Sequence, residues 1–93
     1  MIQITDANYD EEILKYKGKV ILDVGAKWCG KCSVFKPQFI AAESKYPYFK
    51  FCIADADEFD AVTKLNVDHI PAVFVFEDGK IVKQGGEEVL NSL

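Results

Sequence analysis

Val20-Ile21-Leu22-Asp23-Val24-Gly25-Ala26-Lys27-Trp28-Cys29-Gly30-Lys31-Cys32 decides how this chain is read. Val20 to Val24 reads as a buried strand interrupted by one acid. A helix follows from about Gly30 to Tyr46, with Phe35, Phe39, Ala42 and Tyr46 on one face and Pro37 predicted to kink it. The two cysteines therefore sit where a strand gives way to a helix. The first turn of a helix has unpaired N–H groups and the positive end of the dipole. Both favour a thiolate over a thiol at Cys29, the more exposed position, and the thiolate is the attacking species in thiol–disulfide exchange. Cys32 follows one turn later, close enough to attack a mixed disulfide formed at Cys29. Gly30 lets the backbone turn tightly and leaves room for a partner chain. Trp28 offers a flat apolar surface at the rim.

Two other readings compete: buried core cysteines, or half of a zinc site. A tetrahedral zinc site needs four ligands. Only Cys52 and His69 remain as soft candidates, in separate elements, so no metal is expected.

Working outward, Ile2-Gln3-Ile4 is a short strand. Asp6 is placed to cap a helix starting near Ala7, with Tyr9, Ile13 and Tyr16 on one face and Gly18 ending it. Phe49 to Ala54 is a further strand, and Asp57 or Glu58 opens a short helix holding Val62 and Leu65. Ala72 to Phe76 has no polar alternation, which predicts a strand covered on both faces. Asp78-Gly79 signals a hairpin into an antiparallel strand, Lys80 to Lys83. Gly85-Gly86 breaks it, and Glu87 to Leu93 begin a final helix. The order β-α-β-α-β-α-β-β-α implies an α/β protein with a mixed central sheet and helices on both faces.

The 93 residues fit one domain, 1–93, with 49% hydrophobic and 28% charged residues, ordinary globular values. The net charge is -4, and all 11 basic residues are Lys, which argues against a nucleic-acid partner. No apolar run approaches the ~20 residues of a membrane span. The start, Met1 to Asp6, lacks the basic and apolar regions of a signal peptide, so a cytoplasmic location is expected. Three cysteines are too few and too uneven for a disulfide framework.

At these residues the chain resembles the thioredoxin family, along essentially its whole length. Leu22-Asp23-Val24 followed by Ala26-Lys27-Trp28-Cys29-Gly30 is similar to the strand leading into that family's active site. Pro37, five residues after Cys32, matches its helix proline. His69-Ile70-Pro71-Ala72-Val73 resembles the segment holding its cis-proline, Phe76 to Lys80 its hairpin, and Gly85-Gly86 its glycine before the last helix. The resemblance implies a thioredoxin fold and a reversible Cys29–Cys32 disulfide, with no other cofactor. It makes Asp23 the buried acid that accepts the Cys32 proton through water, its pKa raised by desolvation. It makes Pro71 a cis-proline, with Ile70, Gly86 and Trp28 completing a shallow groove where an extended target segment pairs as one added strand. His69, just before the Ile70-Pro71 pair, reads as a solvated loop residue; the other reading is that it tunes Cys29 electrostatically. Cys52 reads as a small buried hydrophobe. Asp55, Asp57, Glu58 and Asp60 read as a solvated helix start, since EF-hand spacing is absent.

The chain departs from the family in places. Lys31 stands where proline is usual between the cysteines. Its charge near Cys29 stabilises the reduced form, and the expected potential is somewhat less reducing than ~-270 mV. Ile53 occupies the strand position that should carry the lysine partnering the buried acid. Gly25 replaces a frequent aromatic, and the last helix, ending at Leu93, is about two turns long. The function implied is reduction of disulfides in target proteins by dithiol exchange. An oxidase or isomerase of the same fold, or a binding module without turnover, is the alternative. No flavin or nicotinamide fingerprint is present, so a separate reductase of thioredoxin-reductase type is expected as a partner. A monomer is expected.

Overall fold

The computed structural model describes all 93 residues. Its strands are β1 (Ile2–Ile4), β2 (Lys19–Gly25), β3 (Phe49–Asp55), β4 (Ala72–Glu77) and β5 (Lys80–Gly85). They form one sheet in the order β1-β3-β2-β4-β5. β1 and β2 run parallel to β3, whereas β4 is antiparallel to both β2 and β5. The sheet is therefore mixed, and the apolar β2 and β4 lie inside it. The helices are α1 (Gly30–Ala42), α2 (Ala61–Leu65) and α3 (Glu88–Asn91).

Strand alternation sends successive side chains of β2 to opposite faces. Val20, Leu22 and Val24 pack with Ile4, Tyr9, Ile13, Phe59 and Phe74 on one side. Ile21 packs with Phe35 and Phe39 of α1, Phe51, Val73 and Val89 on the other. Phe39 stacks against Phe51 with ring centroids 5.0 Å apart, tying α1 to the sheet. Asp23 shares the parity of Ile21 and so lies beneath α1. β4 is buried from Ala72 to Phe76, as a strand covered on both faces should be.

Five local expectations need correction. The first helical element is a π-helical turn, Asp10–Leu14, and not a helix running from Ala7 to Gly18. Asp6 does not cap it. Asn8 Oδ1 accepts the Thr5 N–H at 2.8 Å, while Asp6 accepts the Asp60 N–H from a distant loop. Tyr9 and Ile13 are buried, but Tyr16 is exposed and carries Lys50 over its ring at 4.2 Å. The cap of α2 is Asp60, which accepts the Thr63 N–H at 3.1 Å, rather than Asp57 or Glu58. The last helix spans about one turn, Glu88–Asn91, and buries Val89 and Leu90. α1 continues through Pro37 to Ala42, and a short 3-10 turn, Glu43–Lys45, completes the stretch toward Tyr46. No helix is long and apolar enough to cross a membrane.

Candidate active site

β2 ends at Gly25, and the chain reaches α1 within five residues, so Cys29 becomes the N-cap of that helix. The N-cap position places a side chain over the free N–H groups of the first turn. Cys29 Sγ accepts the Cys32 N–H at 3.2 Å, a donor of the kind that stabilises negative charge on sulfur. Cys29 and Cys32 are disulfide-bonded, with Cα atoms 5.3 Å apart. Cys29 is half-buried and Cys32 is 7% exposed, so one sulfur meets visitors and the other waits behind it. A Cβ on Gly30 would meet nothing within 4 Å, which leaves the flank of the disulfide open to a partner chain. At Gly25 the reverse holds. A Cβ there would lie 3.1 Å from Cys32 Cβ and 3.2 Å from its Sγ, so this glycine makes room for the inner cysteine.

Asp23 is 6% exposed, and its Oδ1 has no hydrogen-bond partner. Burial pushes its pKa up to about 7, opposed by the Lys36 ammonium and reinforced by Glu87. Across the sheet it faces Ile53 on β3 and Val73 on β4, neither of which can hydrogen-bond through its side chain.

The Ile70–Pro71 bond is cis. Ile70, Pro71 and Gly86 line one shallow groove together with Lys31, His69 and Glu87. Neither the N–H nor the C=O of Ile70 is in a hydrogen bond within the chain, so both are open to an extended visitor. Gly86 donates its N–H to Glu88 at 2.8 Å, which fixes the groove wall. Trp28 is 71% exposed, and its indole N–H donates to Asp57 Oδ2 at 3.1 Å. His69 is exposed and pairs with Asp68 at 2.8 Å. Cys52 is fully buried in the core, and burial pushes its thiol up to about 11. No three His, Cys, Asp or Glu side chains converge as metal ligands.

Two residues of this neighbourhood escaped the sequence reading. Asp57, taken only as a solvated acid, anchors Trp28. Lys36 lines a cavity with Asp23 and Cys32. It follows Cys32 by four residues, and helical spacing alone puts the two on one face.

A family model described as Thioredoxin matches residues 1–93. The protein named Thioredoxin from Pseudomonas aeruginosa is 32% identical over 83 residues, covering 87% of this chain and 77% of that protein. Thioredoxin Asp f 29 of Aspergillus fumigatus is 34% identical over 86 residues, covering 88% of this chain and 78% of that one. The X-ray structure of Fasciola hepatica thioredoxin shares 28% identity and a TM-score of 0.89, covering 99% of this chain and 94% of the other.

Proposed function

The chain belongs to the thioredoxin family and is a thiol–disulfide oxidoreductase of the protein-disulfide reductase type; on that premise we propose the residue-by-residue route it takes. A target disulfide docks beside Cys29, its extended segment pairing with the free backbone of Ile70 next to Pro71 and Gly86. The Cys29 thiolate attacks the nearer target sulfur. The target S–S bond breaks, a Cys29–target bond forms, and the departing thiolate takes a proton from solvent. Cys32 then gives its proton to the Asp23 carboxylate and attacks Cys29 Sγ. The Cys29–Cys32 bond closes, and the second target sulfur leaves as a thiolate. Two electrons have passed to the target, and the protein's dithiol has become the disulfide.

One observation carries this route: the disulfide caps α1, with Cys29 reachable and Cys32 behind it. A carboxyl whose pKa is near 7 suits a base that must take and release a proton at neutral pH. Gly30 and Lys31 flank the approach, and Trp28 forms the rim on the Asp57 side. The oxidase or isomerase reading and the non-catalytic module are not favoured, since the matched relatives carry the name Thioredoxin.

We further propose a cytoplasmic monomer that is re-reduced by a separate reductase and serves cellular electron transport to disulfide-containing targets. Its cysteine usage supports this: one exchangeable pair and one buried thiol, with no disulfide framework. The deciding experiment is trapping with Cys32→Ser. That variant holds targets covalently at Cys29, releasable by dithiothreitol, whereas Cys29→Ser holds none. Equal capture by both variants would overturn the route, and so would failure of the parent protein to reduce insulin disulfides.

A further inference from the structure

Ile53 removes the cation expected opposite Asp23, yet the acid is not sealed in hydrocarbon. A cavity of about 370 Å³ opens between the start of α1 and the ends of β1, β3 and β2. Asp23, Gly25, Cys32, Lys36 and Ile53 share its wall. Asp23 Oδ1 is the buried polar atom without a partner, and its carboxyl is part of that wall. Lys36 projects from the same helix face as Cys32, one turn further on. The other charged groups around the acid are Lys27 before α1, Asp55 at the end of β3, Glu58 after it, and Glu87 beside α3.

This cavity and the groove at Pro71 share no lining residue. Cys32 lines the cavity, whereas Lys31 lines the groove. The cavity is wide enough to admit water.

We propose that Lys36 is a positioning residue for Asp23, holding negative charge on the buried carboxyl from α1 across the cavity that both side chains line. The Cys32 proton still goes to the Asp23 carboxylate, and Lys36 sets how readily that carboxylate is charged. No other group changes charge. The inference rests on the dithiol cycle above.

The test is a carboxyl-carbon NMR titration of Asp23 in the oxidised full chain, which needs no turnover and so fails or succeeds separately from that cycle. Lys36 is exposed, so its substitution leaves the core intact. Lys36→Met raises the Asp23 midpoint by roughly half a pH unit or more, and Lys36→Arg holds it within ~0.2 of the parent. The same ordering appears in the pH profile of target release from the mixed disulfide. An unmoved midpoint in Lys36→Met, an equal shift in Lys36→Arg, or a release profile that ignores the shifted midpoint would each overturn the proposal.

Discussion

Asp23 and Ile53 are direct partners across the β2–β3 ladder, so the one buried charged side chain of the core faces hydrocarbon where it would gain from a cation. The folded chain holds the Asp23 proton up to about pH 7, and the reference carboxyl releases it near 3.8. Between those values the unfolded state binds fewer protons than the folded state. Stability therefore falls as pH rises from about 4 to about 7 and is level above. At roughly 1.4 kcal/mol per pH unit, the burial costs on the order of 4 kcal/mol at alkaline pH. Asp23→Asn removes that cost. The variant should match the parent in urea unfolding near pH 4 and exceed it by roughly 2–4 kcal/mol at pH 8.5. An equal gain at both pH values would show that charge burial is not the cause.

Cys29 and Cys52 differ in every property that governs alkylation. Cys29 is half-buried at a helix N-terminus, whereas Cys52 is buried in the core with its thiol pushed up to about 11. In the reduced protein at pH 7, iodoacetamide should label Cys29 first. Cys52 should react at least ~100-fold more slowly, until denaturant is added. Mass spectrometry of the peptides reads the order, and early labelling of Cys52 would contradict its placement.

Much of the fold was legible because apolar runs and cysteine spacing are local signals. Val20–Val24 and Ala72–Phe76 could be read from their own side chains, and both are buried strands. The caps were not legible, because tertiary contacts choose among near-equivalent acids. Asp6 lost its capping role to a hydrogen bond with a residue 54 positions away. Four acids crowd residues 55–60, and only the path of the chain into α2 selects Asp60. At the site, the cysteine pair was readable from its spacing and its place before a helix, whereas the buried acid and the cis-proline came from the family resemblance. The partner of Trp28 was not readable, because the hydrogen bond to Asp57 joins residues 29 positions apart that no pattern links. Lys36 was within reach of helical periodicity. It went unread because the cation was sought on β3.

The Asp78-Gly79 turn is locked to the rest of the chain, which makes it a stability determinant far from the chemistry. Asp78 and Gly18 exchange two hydrogen bonds of 2.9 Å, one through the Asp78 carboxylate and one through its N–H. Gly79 has φ +83, and a Cβ there would collide with the Leu14 carbonyl oxygen. Gly79→Ala therefore meets both left-handed strain and a backbone clash. It should destabilise the protein by roughly 2–4 kcal/mol without changing the chemistry of the folded fraction. Thermal unfolding checks the first part, and insulin reduction per folded molecule checks the second.

Lys31 is exposed between the two cysteines and lines the docking groove, so its charge reaches the disulfide through solvent. A cation there stabilises the Cys29 thiolate more than the neutral disulfide, which favours the reduced form and makes the pair more oxidising. Solvent screening keeps the effect modest. Lys31→Pro also restores a residue that suits the first turn of a helix, since Pro costs no hydrogen bond there. The loss of charge sets the expected direction. The midpoint of Lys31→Pro, measured against a glutathione or dithiothreitol couple, should lie roughly 10–30 mV more negative than the parent, where ~30 mV corresponds to ~1.4 kcal/mol. Lys31→Glu, which reverses the charge without restoring the ring, separates the two causes. If charge dominates, it moves the midpoint at least as far as Lys31→Pro. A less negative midpoint in Lys31→Glu would show that Lys31 does not act on the dithiol through its charge.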